Sequence, residues 1–271
     1  MAQFAAFYKD YVKDAFRSEN QFGFDVRMVA RIEPLLKFLY NNWWKVNFQG
    51  LERLPKEGPA LIVGNSGGLV PWAALMLLYA LMSNKNNPYP RRVHLVADLD
   101  WINDERVYTY LVQLGFVPWS ADNLKHLFAN GQLVAAFPEG LQASAKPFTD
   151  RYRILDFDWT RLLSAVEENV PILPLATLGC EEAVPTIANL DWLAKFLNMP
   201  AFPVTPFFPW YPFPLNLGSL PIQWRMSLLN NSDYPQGSNR DTIEETAKSQ
   251  SRFIEGEIQA ELNRLLRARG R

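Results

Sequence analysis

Apolar residues recur along this chain in two rhythms that alternate. At the N-terminus, Phe4, Phe7, Tyr8, Tyr11, Ala15 and Phe16 share one face at helical spacing. They predict an amphipathic helix over Met1–Phe16, with Lys9, Asp10, Lys13 and Asp14 on its polar side. The helical pattern resumes over Asp25–Trp44 through Val29, Ile32, Leu35, Leu36, Leu39, Tyr40 and Trp43, with a kink or restart expected at Pro34. Val46–Leu54 reads as a short strand and a turn. Four short apolar runs then predict core strands: Pro59–Val63, Arg92–Val96, Leu133–Phe137 and Ile172–Ala176. Between them lie helical patterns over Pro71–Met82, Asn103–Leu114 and Ala121–Asn130, the last ending at Gly131, and a short strand at Gly115–Pro118. Near the end, Asp241-x-x-Glu244 has the form of a capping box, followed by the stripe Ile243, Ala247, Ile254, Ile258, Leu262, Leu265 and Leu266.

Strands alternating with helices predict an α/β fold: a mixed, largely parallel central sheet flanked by helices, with amphipathic helices at both chain ends. The expected organisation is one domain over residues 1–271, with N-terminal helices (1–45), an α/β core (46–231) and a C-terminal helix (232–271).

Composition narrows the function classes. The chain of 271 residues is 48% apolar, enough to bury a substantial core, and its net charge of −1 gives no electrostatic case for nucleic acid. One cysteine, Cys180, excludes an intramolecular disulfide and fits a reducing compartment. The N-terminus lacks the basic-then-apolar pattern of a secretory signal, and Pro71–Met82 is too short to cross a bilayer. Leu197–Trp224 carries no charge, seven prolines, and the aromatics Phe202, Phe207, Phe208, Trp210, Tyr211, Phe213 and Trp224. Such a segment packs as an extended lid over the core, or sits in a membrane interface where Trp and Tyr favour the headgroup level. Phe207, Phe208 and Trp210 are its candidate contacts. Nothing in the sequence calls for a metal or cofactor.

The chemistry concentrates on Val63-Gly64-Asn65-Ser66-Gly67-Gly68-Leu69-Val70-Pro71-Trp72-Ala73, a strand, a tight turn and a helix with proline in its first turn. Such turns expose side chains and backbone N–H groups at the end of a buried strand. The stretch resembles the first motif of the glycerolipid and lysophospholipid acyltransferase superfamily, in particular the branch near diacylglycerol acyltransferases, which reads Asn-His-Ser-Gly-x-Leu-Pro-Trp-Asp. Aligning Asn65 and Pro71-Trp72 puts Ser66 at the position of the catalytic His and Ala73 at that of the Asp. Phe137-Pro138-Glu139-Gly140 matches the third motif and Pro171-Ile172-Leu173-Pro174 the fourth. Lys146-Pro147-Phe148, Arg151-Tyr152-Arg153 and Gly179-Cys180-Glu181-Glu182 fit the same branch. The resemblance spans roughly residues 22 to 224. The family's basic residue after the Gly-Phe-Val strand is missing, since Gly115-Phe116-Val117-Pro118 leads to Trp119-Ser120-Ala121-Asp122 with no Arg or Lys until Lys125, which counts against a phosphorylated acceptor and favours a neutral or differently held alcohol.

The resemblance implies an acyl chain or acyl thioester and a lipid alcohol or membrane surface as partners, with Asn65, Gly67, Gly68, Phe137, Pro138, Glu139, Gly140, Arg151 and Arg153 around the substrate. It implies a peripheral location on the cytoplasmic face of a membrane. Ser66 is no base at neutral pH and Ala73 can orient none, so three readings stand open. One is a degenerate acyltransferase that binds lipid, acyl chains or a protein partner without catalysis. Another is an acyltransferase seen with its His and Asp replaced. The third is a hydrolase using Ser66 within Gly64-x-Ser66-x-Gly68, for which no His follows His126 as base.

Overall fold

The computed structural model describes residues 22–68, 70–83, 91–140, 142–197, 199, 201–206, 219–231 and 240–270. The expected first helix, Met1–Phe16, and the aromatic contacts Phe207, Phe208 and Trp210 lie outside the described residues.

Seven strands form the main sheet: β1 (Asn47–Gln49), β2 (Ala60–Gly64), β3 (Val93–Ala97), β4 (Phe116–Pro118), β5 (Leu133–Ala136), β6 (Ile172–Leu178) and β9 (Arg225–Leu228), in the order β1-β9-β6-β2-β5-β3-β4. Strands β2 to β6 run parallel, while β9 is antiparallel to β6 and parallel to β1, so the sheet is mixed and largely parallel as expected. A small ribbon pairs β7 (Ala188–Asn189) with β8 (Pro203–Val204).

The central strands are continuous apolar runs because both of their faces are covered. On β2, Ala60 and Ile62 face one core, and Leu61 and Val63 the other; on β5, Leu133 and Ala135 alternate with Val134 and Ala136 in the same way. The first core is closed by α1 (Val26–Phe38) and α2 (Trp72–Ser83). Helix α2 is buried on every side from Ala73 to Met82, which is why its sequence is apolar all round rather than striped. The second core lies under α4 (Ala121–Ala129) and α5 (Arg240–Arg269), whose Ile254, Ile258, Leu262 and Leu265 are buried. Between the two strands β3 and β4 runs α3 (Glu105–Gln113), capped by Asp104, whose carboxylate accepts the Arg106 N–H at 2.8 Å.

Two helix expectations need correction. Pro34 neither restarts nor ends α1, which runs through it from the Asp25 cap to Phe38. Proline removes one hydrogen bond, to the Ala30 carbonyl, and Pro34 is on the exposed side of the helix, where its ring displaces no core contact. Buried Met28, Val29 and Leu36 hold the helix on its other side. The irregularity comes later, as a π-helical turn over Leu39–Trp43 closed by the Trp44 N–H on the Leu39 carbonyl at 2.8 Å. That turn seats Trp44 in the core, stacked on Trp224 at 4.5 Å between ring centres. At the other end, α5 is already helical at Arg240, so Asp241 is an acidic group of the first turn rather than the cap. It still complements the positive end of the helix dipole.

Candidate functional site

The turn after β2 is fixed by its own side chains. Asn65 is buried and completes the β2–β6 ladder beyond its last backbone pair: its Nδ2 donates to the Thr177 carbonyl at 3.0 Å, and the Thr177 N–H donates to Oδ1 at 2.7 Å. The amide is the side chain that meets a backbone donor and acceptor together. Asn65→Ala leaves the Thr177 N–H buried without a partner and its carbonyl with only the weak Cys180 thiol donor at 3.5 Å, and is expected to lower unfolding free energy by about 1–3 kcal/mol in urea melts; an unchanged midpoint would mean that this clamp contributes nothing to stability. The two glycines answer different constraints. A Cβ on Gly67 would lie 2.7 Å from Glu181 Cγ and 3.1 Å from the Glu181 nitrogen. Gly68 has φ of +78°, a backbone region side chains disfavour.

Glu139 follows β5, the neighbour of β2, and reaches back to the turn. Its Oε1 accepts the Ser66 N–H at 3.3 Å and its Oε2 the Leu155 N–H at 3.4 Å. Lys146 Nζ lies 3.7 Å from Glu139 Oε2 and also contacts Glu181 Oε1, with all three side chains nearly excluded from solvent. Burial pushes the Glu139 carboxyl up to about 7, opposed by Lys146 and reinforced by Glu181. Burial disfavours the Lys146 charge, but Glu181 and Glu139 outweigh it and the ammonium is held above its ordinary range. Glu181 also accepts the Tyr152 N–H, tying the segment after the third motif to the same cluster. Glu139 is therefore a buried brace behind Ser66.

In front of the brace lies a cavity of about 90 Å³. Ser66, Gly67, Gly68, Ala73, Phe137 and Gly140 line it, so both positions of the resemblance's dyad and parts of two motifs share one space. Asn65, Pro138 and Glu139 are buried around the turn and the strand end. Two charged residues that sequence reasoning passed over also line the cavity: Asp98, just beyond β3, and Arg161, in the single turn Trp159–Leu162. Arg161 Nη2 donates to Asp98 Oδ2 at 2.6 Å, its Nε lies 3.3 Å from Asp158 Oδ2, and its guanidinium lies 4.6 Å over the Trp119 ring. The one sequence signal was Asp158-x-Thr160, where the Asp158 carboxylate caps the turn by accepting the Thr160 N–H at 3.1 Å.

The nominated arginines are not in this cavity. Arg151 lines a smaller depression with Gly68, Lys146 and Glu181, stacked 4.4 Å over Phe148. The Arg153 carbonyl accepts from Lys146 Nζ at 2.8 Å, while its exposed side chain lines neither space. Neither histidine lines the cavity. His94 is buried in β3 with its ring against Phe22, and burial, aided by Arg92, depresses it to about 3. His126 is exposed on α4, its Nε2 3.2 Å from Asn130 Nδ2.

This chain is similar to known proteins in sequence and in fold. Uncharacterized proteins of Mycobacterium tuberculosis and Mycobacterium leprae are both 35% identical to it, over 213 and 211 residues respectively. Those stretches cover 78% and 77% of this chain but 58% and 56% of the relatives, so the chain spans less than two thirds of their length. The fold is similar to the crystal structure of the 1-acyl-sn-glycerophosphate (LPA) acyltransferase, PlsC, from Thermotoga maritima, with a TM-score of 0.54 and 17% identity, over 87% of this chain and 78% of that one. Residues 45–178, from the residue before β1's approach to the end of β6, match the family described as Acyltransferase. The turn that Asn65 clamps and Glu139 braces lies inside the stretch that is similar to the Acyltransferase family.

Proposed function

We propose that this chain binds an acyl chain or acyl thioester together with a lipid alcohol, with their carbonyl and hydroxyl ends in the cavity bounded by Ser66, Ala73, Asp98 and Arg161, and that it acts there as a non-catalytic binding or assembly protein. The observation that carries the reading is the lining itself: the frame of an acyl-transfer site is kept, and among its described lining residues there is no imidazole. Transfer from a thioester to an alcohol needs a base to take the hydroxyl proton, and Ser66 cannot act as one at neutral pH. Hydrolysis through Ser66 meets the same obstacle, because a serine nucleophile also needs a base within hydrogen-bond reach. Incubated with a long-chain acyl-CoA and a monoacylglycerol, the chain should bind the acyl group, as read by displacement of a fluorescent fatty acid, and form no ester product. Ester formation at ordinary enzymatic rates would overturn the non-catalytic reading.

The second part of the proposal is peripheral attachment to the cytoplasmic face of a membrane. Among the described residues no helix is long and apolar enough to cross one. Val184 and Thr186 line the depression beside Gly68, and the chain then presents Ile187, Trp192 and Phe196 at 61%, 68% and 80% exposure. Trp192 and Phe196 are four residues apart on the helix Asp191–Phe196 and so share a face. Exposed apolar groups of this size beside a lipid-binding cavity suit an acyl-chain boundary. Replacing Trp192 and Phe196 together by serine should weaken vesicle flotation by about tenfold or more. Unchanged flotation would remove this surface from the contact, and loss of flotation in a Phe207, Phe208 and Trp210 triple-serine variant would put the contact in that segment instead.

A further inference from the structure

The cavity beside Ser66 has an electrostatic character that the motifs do not specify. Among its described lining residues the charged ones are Asp98 and Arg161, and they bond directly to each other at 2.6 Å. Arg161 is also shared with Asp158 at 3.3 Å and packs its flat face on Trp119, with 14% of its side chain exposed. Its Nη2 hydrogen bond goes to Asp98 and its Nε makes none, so it is the positive charge of the guanidinium, more than its donors, that the two carboxylates offset. The three side chains together carry a net negative charge. The nearby Lys146 is committed in the same manner, between Glu139 and Glu181. Arg151 lies outside the cavity, its Nη1 donating to the Phe148 carbonyl at 3.2 Å.

Asp98 differs from these. Arg161 engages its Oδ2, its Oδ1 has no hydrogen-bond partner among the described residues, and 34% of its side chain is exposed. A carboxylate with one oxygen pinned and the other open is a fixed acceptor for a hydroxyl donor, and repels an anion at the same place. We propose that Asp98, oriented by Arg161, is the specificity-determining group of this cavity: it accepts a hydrogen bond from the hydroxyl of a neutral lipid alcohol and excludes a phosphorylated one. The inference rests on the lipid-binding reading of the cavity and assigns it an acceptor class.

Tryptophan fluorescence offers a direct readout, since Trp119 lies against Arg161. The two probes are monooctanoylglycerol and its phosphate ester, titrated into the whole chain. The unmodified protein should bind the neutral probe at least about tenfold more tightly, and Asp98→Asn should shift the ratio at least about tenfold towards the phosphate ester by removing the repelling charge. Asp98→Ser serves as a second variant if the amide disturbs the fold, with the melting midpoint of each as control. Tighter binding of the phosphate ester by the unmodified chain, or a ratio that neither variant moves, overturns this proposal alone. Binding of neither probe overturns the lipid-cavity reading and the proposal with it.

Discussion

The variant Ser66→His/Ala73→Asp is expected to transfer acyl groups from a thioester to a lipid alcohol about 10²–10⁴-fold faster than the unmodified chain, the usual range for general-base assistance. The expectation follows from how the turn is held rather than from the two side chains it lacks. Asn65 is bonded to both backbone polar groups of Thr177, and the Ser66 N–H is held by Glu139. Neither contact uses the side chain at position 66 or 73, so the backbone that would present an imidazole is already in place. Position 73 is buried, at 1% exposure, on the first turn of α2 and lines the same cavity. A carboxylate there has an apolar setting in which it needs the imidazole as partner, and the imidazole needs the carboxylate for its tautomer. Ser66→His alone should therefore gain much less than the pair, and Ala73→Asp alone should gain nothing and lose stability. Acyl-chain binding and the melting midpoint, measured on each variant, separate a silent site from a misfolded one. A folded double variant that binds acyl chains yet is as silent as its parent would mean that acceptor hydroxyl and thioester do not meet at this turn. The proposed pair of ligands would then be wrong.

How far the sequence carries depends on whether the cause of a feature is local. The strands β2, β3, β5 and β6 were legible because a strand covered on both faces must be apolar throughout, and nothing outside the run is needed to see that. Helix α2 was legible for the same reason. The turn at Asn65–Gly68 could be read as a turn, but not why its glycines are required. Gly67 is excluded from having a side chain by Glu181, far along the chain. Pro34 misled because a proline's effect depends on which side of the helix faces water, a tertiary fact. Arg161 was missed because its partner Asp98 lies 63 residues earlier, and only the parallel sheet brings the ends of β3 and the post-β5 segment to one edge. Arg151 and Arg153 attracted attention because they sit in a motif, whereas what counts for a cavity is which loop returns to it.

Two buried groups should give the stability of this protein opposing pH dependences that single substitutions expose. Glu139 is held up to about 7 from an ordinary 4.5, chiefly by burial. Between those limits the folded chain keeps a proton that the unfolded chain has released, so stability falls as pH rises. The contribution is complete below about 4.5 and gone above about 7, and its full extent is about 3 kcal/mol. His94 works the other way. Burial, with Arg92 adding to it, depresses it from an ordinary 6.5 to about 3. Within that window the unfolded chain takes up a proton that the folded chain does not, so stability falls as pH falls. Its contribution is present above 6.5 and lost by about 3, with a full extent of about 4–5 kcal/mol. From about 4.5 to 6.5 the two nearly cancel. Urea melts across pH 3 to 8 should thus show Glu139→Gln gaining about 3 kcal/mol relative to its parent as pH rises from 4.5 to 7. His94→Gln should gain about 4–5 kcal/mol relative to its parent as pH falls from 6.5 to 3. Carboxylates remote from the substituted group are common to parent and variant and drop out of each difference. Curves for either variant that run parallel to the parent's would mean that the group titrates alike folded and unfolded. For Glu139, that result would also remove the buried brace behind Ser66.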